Sequence, residues 1–168
     1  WAGQLKPLFD ANPGMDWYEL ENECDVSDAA WYGIYLTECC RILDRPLVIK
    51  SEYIGRNGPP PEHPDDPNAW SLIDFFRSLV PTLRSLRAQY KLALGFHAYT
   101  AITPGELGAL VGLSDEFRGY QWRKIWREVL QPAGLGDMPV FLTECGDGWG
   151  SGGFTPDQII ASMRAMDS

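Results

Sequence analysis

The chain is short of basic residues, with 14 Lys and Arg against 23 Asp and Glu over 168 residues, a formal charge of -9. No basic stripe is available to neutralise phosphates, which argues against a nucleic-acid partner. An acidic surface is compatible with neutral substrates such as sugars, and it serves equally to keep a protein in solution. Long apolar runs are also missing. None approaches the roughly 20 residues that span a bilayer, so no membrane partner is expected. The chain opens Trp1-Ala2-Gly3-Gln4, with neither an initiator Met nor a basic and then apolar leader. We therefore expect a processed chain or a fragment, a start compatible with secretion of the full-length protein. Only two histidines occur, His63 and His97, and the cysteines at 24, 39, 40 and 145 match no zinc spacing. The glycines from Gly146 to Gly153 lack the Gly-Lys-Ser/Thr of a phosphate loop. Nothing in these patterns asks for a cofactor or a metal, and the four cysteines read as small buried hydrophobes.

What is present suits a packed core: 45% of the residues are hydrophobic and 12% aromatic, in a length that fits one domain over 1–168. Strand-like and helix-like patterns alternate along it. Leu5 to Asn12 reads as the tail of a helix, and Trp17 to Glu23 as a strand. Ser27-Asp28 can cap a helix from Ala29 to about Leu43, which Arg45-Pro46 stops. Its stripe includes Trp31, Ile34, Tyr35 and Leu36. Leu47 to Ile54 is a second strand. A Pro- and Gly-rich loop from Arg56 to Pro67 is either a plain connection or one wall of a cleft. Asn68 to Tyr90 carries the apolar stripe of a long helix, in which Pro81 predicts a kink or a break. Lys91 to Tyr99 is a third strand. Thr103 to Glu106 opens another helical region, a helix from Phe117 to about Leu130 follows, and Val140 to Glu144 is a fourth strand. Thr155-Pro156-Asp157 begins a last helix. Trp17, Trp31, Trp70, Trp122 and Trp126 are assigned to the core.

Strand and helix alternate four times, which argues for parallel β/α architecture. A closed barrel of eight such units takes about 250 residues. Four units leave two edge strands and an apolar sheet face to be covered. Either the chain is a fragment of a larger enzyme or it closes as a smaller open sheet; the expected fold is α/β, a partial TIM (β/α)8 barrel of about four β/α units belonging to a larger catalytic domain.

Two of the strands end in glutamates, Glu23 and Glu144. Acids at the carboxyl ends of parallel strands sit over the active face of a barrel. A pair of them suits glycoside cleavage, where one carboxyl protonates the leaving oxygen and the other attacks or activates water. Strict alternation puts Glu19, Glu21 and Glu23 on one face, and Val140, Leu142 and Glu144 on another. Lys50 and Glu52 share a face by the same rule.

The run Trp17-Tyr18-Glu19-Leu20-Glu21-Asn22-Glu23 resembles the fourth strand of the large clan of (β/α)8-barrel glycoside hydrolases, the cellulase-like superfamily. That strand ends in Asn-Glu, and its Glu is the acid/base. Phe141-Leu142-Thr143-Glu144 resembles the clan's seventh strand, which ends in the nucleophile. Phe96-His97-Ala98-Tyr99 is similar to its sixth. The clan commonly follows Asn-Glu with Pro, where this chain has Cys24. The resemblance implies strands four to seven of the barrel and a retaining hydrolase of O-glycosidic bonds. Glu144 would then attack the anomeric carbon, while Glu23 donates and later accepts a proton, its pKa raised by burial and by the Glu144 charge. Asn22 would bind the sugar 2-hydroxyl, Tyr99 would orient Glu144, and His97 would line the sugar site. Trp149, just beyond Glu144, offers a flat apolar face for a sugar or a lid over the core.

Two further readings compete. One is a metal-dependent barrel isomerase or lyase with Glu23, Glu52, His97 and Glu144 as ligands. The other is a non-catalytic carbohydrate-binding barrel remnant. The sequence sets neither the sugar, nor endo against exo action, nor the oligomeric state.

Overall fold

A computed structural model of the chain describes residues 2–21, 28–53, 72–99, 121–146, 155–157 and 160. In chain order the elements are α1 (Ala2–Asp10), β1 (Tyr18–Glu19), α2 (Ala29–Leu43), β2 (Leu47–Tyr53), α3 (Leu72–Arg87), β3 (Leu92–Tyr99), α4 (Gln121–Ile125) and β4 (Val140–Gly146). A π-helical turn, Trp126–Leu130, continues α4.

The four strands form one sheet in the order β1-β2-β3-β4, with every neighbouring pair parallel. Parallel neighbours need crossovers, and crossovers are right-handed, so a sheet laid down in sequence order receives all its helices on one face. Doubly wound sheets reverse the strand order and take helices on both faces. Here α1 packs on α2, α2 on α3, and α3 on the π-helical turn, as a single layer. The expected α/β class and parallel sheet are thus present.

Local chemistry explains the helices. Asp28 caps α2 by accepting from the amides of Ala30 and Trp31, at 2.9 and 3.0 Å, which satisfies donors that have no partner within the helix. Asp44 ends it in the left-handed region, at φ 47°. In α3 the apolar stripe Leu72, Ile73, Phe75, Phe76, Leu79, Leu83 and Leu86 is wholly buried. Pro81 does not divide that helix, which runs unbroken from Leu72 to Arg87. The two helices meet closely at Gly33, where an added Cβ would come within 3.0 Å of Thr82 Oγ1.

The core lies between the sheet and this helix layer. Tyr18, Leu20, Leu47, Ile49, Leu92, Leu94 and Phe96 enter it from the strands, and Val140 and Leu142 pack against it. Alternation then assigns Trp17, Val48, Ala93, Gly95 and Phe141 to the opposite face. Trp17 and Phe141 flank the two outer strands, yet their rings are 5.4 Å apart. Three strand spacings would separate them by about 14 Å in a flat sheet. The sheet is curled, and its concave face is small in the middle, at Ala93 and Gly95, where the two rings converge from the sides.

Two core assignments are corrected. Trp31 is 52% exposed and Ile34 71% exposed, on the outer side of α2, with Trp31 stacked on Tyr35. A helix with one neighbour on each side and the sheet beneath still keeps an outward stripe. Cys39 and Cys40 are buried, as expected. The sequence-expected helix from 117 begins, as far as it is described, at Gln121 and turns π-helical at Trp126. Among the described residues no helix is long and apolar enough to cross a membrane.

Candidate functional site

The carboxyl ends of β2, β3 and β4 lie side by side, and β3 is the reference strand. Phe96 enters the helix-side core, so His97 belongs to the concave face, where it is 1% exposed. The strands on either side each carry one register shift before this level, in β2 ahead of the Phe96 row and in β4 between the Phe96 and His97 rows. Between β2 and β3 the pairing runs Ile49 to Leu94 and then Glu52 to Phe96 and Tyr53 to His97. Between β3 and β4 it runs Phe96 to Leu142 and then His97 to Glu144. In both cases the outer strand holds one residue more than β3.

An extra residue reverses the face to which every following position belongs. Strict alternation would have kept Glu144 in phase with Leu142, which packs against the core beneath the helices. The shift overturns that expectation and puts Glu144 in the row of His97. The separate shift in β2 takes Lys50 and Glu52 out of phase: Glu52 pairs in register with Phe96, and Tyr53 with His97. The site row is therefore Tyr53, His97 and Glu144, at the carboxyl end of a parallel sheet. Tyr99 stands one turn of the alternation further along β3, level with Gly146. Thr143, at the irregularity in β4, has a buried hydroxyl that finds no hydrogen-bond partner among the described residues.

Other elements hold β4 at this height. Leu94 donates its amide to Pro139 O at 2.9 Å. Arg87 of α3 grips Asp137 with two contacts of 2.7 and 2.9 Å, and Trp126 Nε1 donates to Gly136 O at 2.9 Å. The segment that feeds into β4 is thus tied to two helices.

At the other side of the sheet, β1 is short. Its ladder ends with the amide of Leu20 on Val48 O, at 2.9 Å. Glu21, expected on the face of Glu19, instead accepts the hydroxyl of Tyr32 from α2, and Tyr32 is buried in the core under the helices. The strand phase has been left by Glu21. Asn22, Glu23 and Trp149 lie outside the described residues.

Of the residues singled out from the sequence, His97 and Glu144 are brought into one row, with Tyr99 beyond them. Tyr53 falls within the expected second strand, Leu47 to Ile54, and was not singled out from the sequence. The signal that would have promoted it is a register shift, and no local pattern in Lys50-Ser51-Glu52 encodes one. Among the described residues no group of three His, Cys, Asp or Glu side chains is gathered that could hold a metal. Comparisons of the chain with family models, curated proteins and solved structures return no significant match.

Proposed function

We propose that the chain is part of a retaining glycoside hydrolase of (β/α)8 architecture, with Glu144 as nucleophile and Glu23 as acid/base. The observation that carries the reading is the β4 register shift: it moves Glu144 out of the phase of Leu142 and into the row of His97, at the end of the sheet where such barrels do their chemistry. The sequence order of the strands and the curl of the sheet support it, since both are what a segment of a singly wound barrel requires. In this scheme the chain supplies the equivalents of strands four to seven, and carbohydrate is the partner. Glu144 attacks the anomeric carbon as Glu23 protonates the departing oxygen. Glu23, now a carboxylate, takes a proton from the water that displaces Glu144. A retaining reaction needs the two carboxyl groups about 5 to 5.5 Å apart.

The test uses a polypeptide that carries this chain with its flanking sequence and a panel of 4-nitrophenyl glycosides in both anomeric forms. Glu144→Gln is expected to lower kcat by on the order of 10³-fold or more while sugar binding persists. The first product released by the parent enzyme, read by proton NMR, should keep the anomeric configuration of the substrate. Inversion, or full turnover by Glu144→Gln, would remove Glu144 from the nucleophile's role.

A further inference from the structure

We propose that Tyr32 and Glu21 form a positioning anchor for the strand end that leads to the acid/base, fixing the chain two residues ahead of Glu23. The role of Glu23 rests on the glycosidase reading, whereas the anchor itself stands on a hydrogen bond between two side chains. The β1 ladder is short, with Tyr18 and Glu19 in register with Leu47 and Val48. Its last rung among the described residues is the amide of Leu20 on Val48 O. Glu21 comes next and is held sideways instead, its carboxylate accepting the hydroxyl of Tyr32. Tyr32 is a fixed post. It is wholly buried, its amide donates to Asp28 O at 2.9 Å, and its ring centroid lies 5.7 Å from that of Tyr35 and 5.6 Å from that of Phe75.

Covalent geometry carries the consequence to Glu23. Two residues span at most about 7 Å, so a displacement of Glu21 reaches Glu23 with little slack to absorb it. A general acid must stand within hydrogen-bond reach of the departing oxygen, and a misplacement of about 1 Å costs on the order of 10²-fold in rate. The chemistry of the pair suits a fixed point. A carboxylate drawn under the helix layer loses water and persists there only while it is hydrogen-bonded, and a bond to a charged acceptor is stronger than one between neutral groups. Glu21 thus leaves the phase of Glu19 and ties the strand end to α2 where strand pairing has run out.

Two readouts separate the anchor from its role in catalysis, both on the polypeptide that carries this chain with its flanking sequence, at a temperature where every variant is folded by circular dichroism. Backbone order from amide nitrogen relaxation needs no substrate. Tyr32→Phe should lower it at Asn22, Glu23 and Cys24, and Leu86→Ala, in the buried stripe of α3, should not. The second readout is kcat/KM on 2,4-dinitrophenyl glycosides, whose phenolate departs without a proton, and on 4-methoxyphenyl glycosides, which need the acid. Tyr32→Phe and Glu21→Leu should each lose on the order of 10-fold on the methoxyphenyl set and less than about 2-fold on the dinitrophenyl set, a part of what a general acid supplies. Glu21→Gln keeps an acceptor for the Tyr32 hydroxyl and should stay within about 3-fold of the parent on both. Unchanged order at Asn22 to Cys24 overturns the anchor. Equal losses on the two sets overturn its bearing on the acid/base, and so does a collapse of Glu21→Gln on the methoxyphenyl set alone, which would make Glu21 itself the acid. If the order falls but the parent hydrolyses neither set, the glycosidase reading falls and the anchor stands.

Discussion

Cys39 and Cys40 occupy adjacent positions on α2, and both thiols are pushed up by burial, Cys39 to about 11 and Cys40 to about 12. The unfolded chain loses these protons near pH 8.5. The contribution of the buried neutral thiols to stability is therefore complete below about pH 8.5 and is lost as the pH rises towards 11. Because the thiolate is the reacting species, iodoacetamide at about pH 8.5 should leave both cysteines unlabelled in the folded protein and label them in guanidinium. Rapid labelling of either in the native state would contradict their burial. Tyr32 makes the other residue-scale expectation. Its hydroxyl donates to Glu21 from within the core, and a hydrogen bond to a charged group contributes about 1.5 to 3 kcal/mol. Tyr32→Phe should cost about that much in urea unfolding. Individual residues of this kind were partly legible: burial of Cys39 and Cys40 followed from composition and context, whereas the turn of Glu21 towards α2 depends on where β1 stops pairing, which no single residue type encodes.

Elements were legible where their ends carry their own chemistry. The bounds of α2 follow from Asp28 at one end and Arg45-Pro46 at the other, and the structure places it at Ala29–Leu43. Asp28→Ala removes the acceptor for two amides and should destabilise the fold by about 1 kcal/mol, with loss of helix by circular dichroism confined to the start of that transition. A stripe reading was less reliable on the same helix, because Trp31 and Ile34 fall on the outward side that periodicity alone does not distinguish from the flanks. The π-helical turn and the two register shifts had no sequence signal, since each adds one residue to a pattern without changing its composition. The tie between α3 and the segment entering β4 yields a pH expectation. Hydrogen bonding to Arg87 holds the Asp137 carboxyl below its ordinary range. A lowered folded pKa contributes stability that is present above about pH 3.9 and lost as the pH falls through the folded value. Asp137→Asn should therefore lower stability at neutral pH, and its difference from the parent should shrink as the pH falls below about 3.9, which flattens the acid limb. An acid limb identical to the parent's would show that the contact made by Arg87 is idle.

At the scale of the whole molecule, strand order decides more than strand content. The alternation in the sequence was enough for parallel α/β architecture, and the sequential order β1-β2-β3-β4 adds what alternation cannot: a sheet wound in one direction, with one helix layer and one open face. The curl registered by Trp17 and Phe141 then makes that open face a concave one. Such a sheet is unevenly secured. β3 is paired along its length on both sides, to β2 and to β4. β1 is held by two register pairs on one side, with no strand on its outer edge among the described residues. Cooperative units open in order of their packing and hydrogen bonding, so amide exchange should rank the strands. In the 168-residue chain, the amide of Leu94, bonded to Pro139 O, should exchange only through global unfolding. The amides of Tyr18 and Leu20, bonded to Pro46 O and Val48 O, should exchange through a smaller opening with weaker denaturant dependence. If further strand–helix units complete the barrel, a longer polypeptide that carries them should bring Tyr18 and Leu20 to the protection of Leu94, because a new strand on the outer edge converts an end of the sheet into its interior. Equal protection of β1 and β3 in the 168-residue chain would mean that its outer edge is already covered, and a half barrel would no longer describe the molecule.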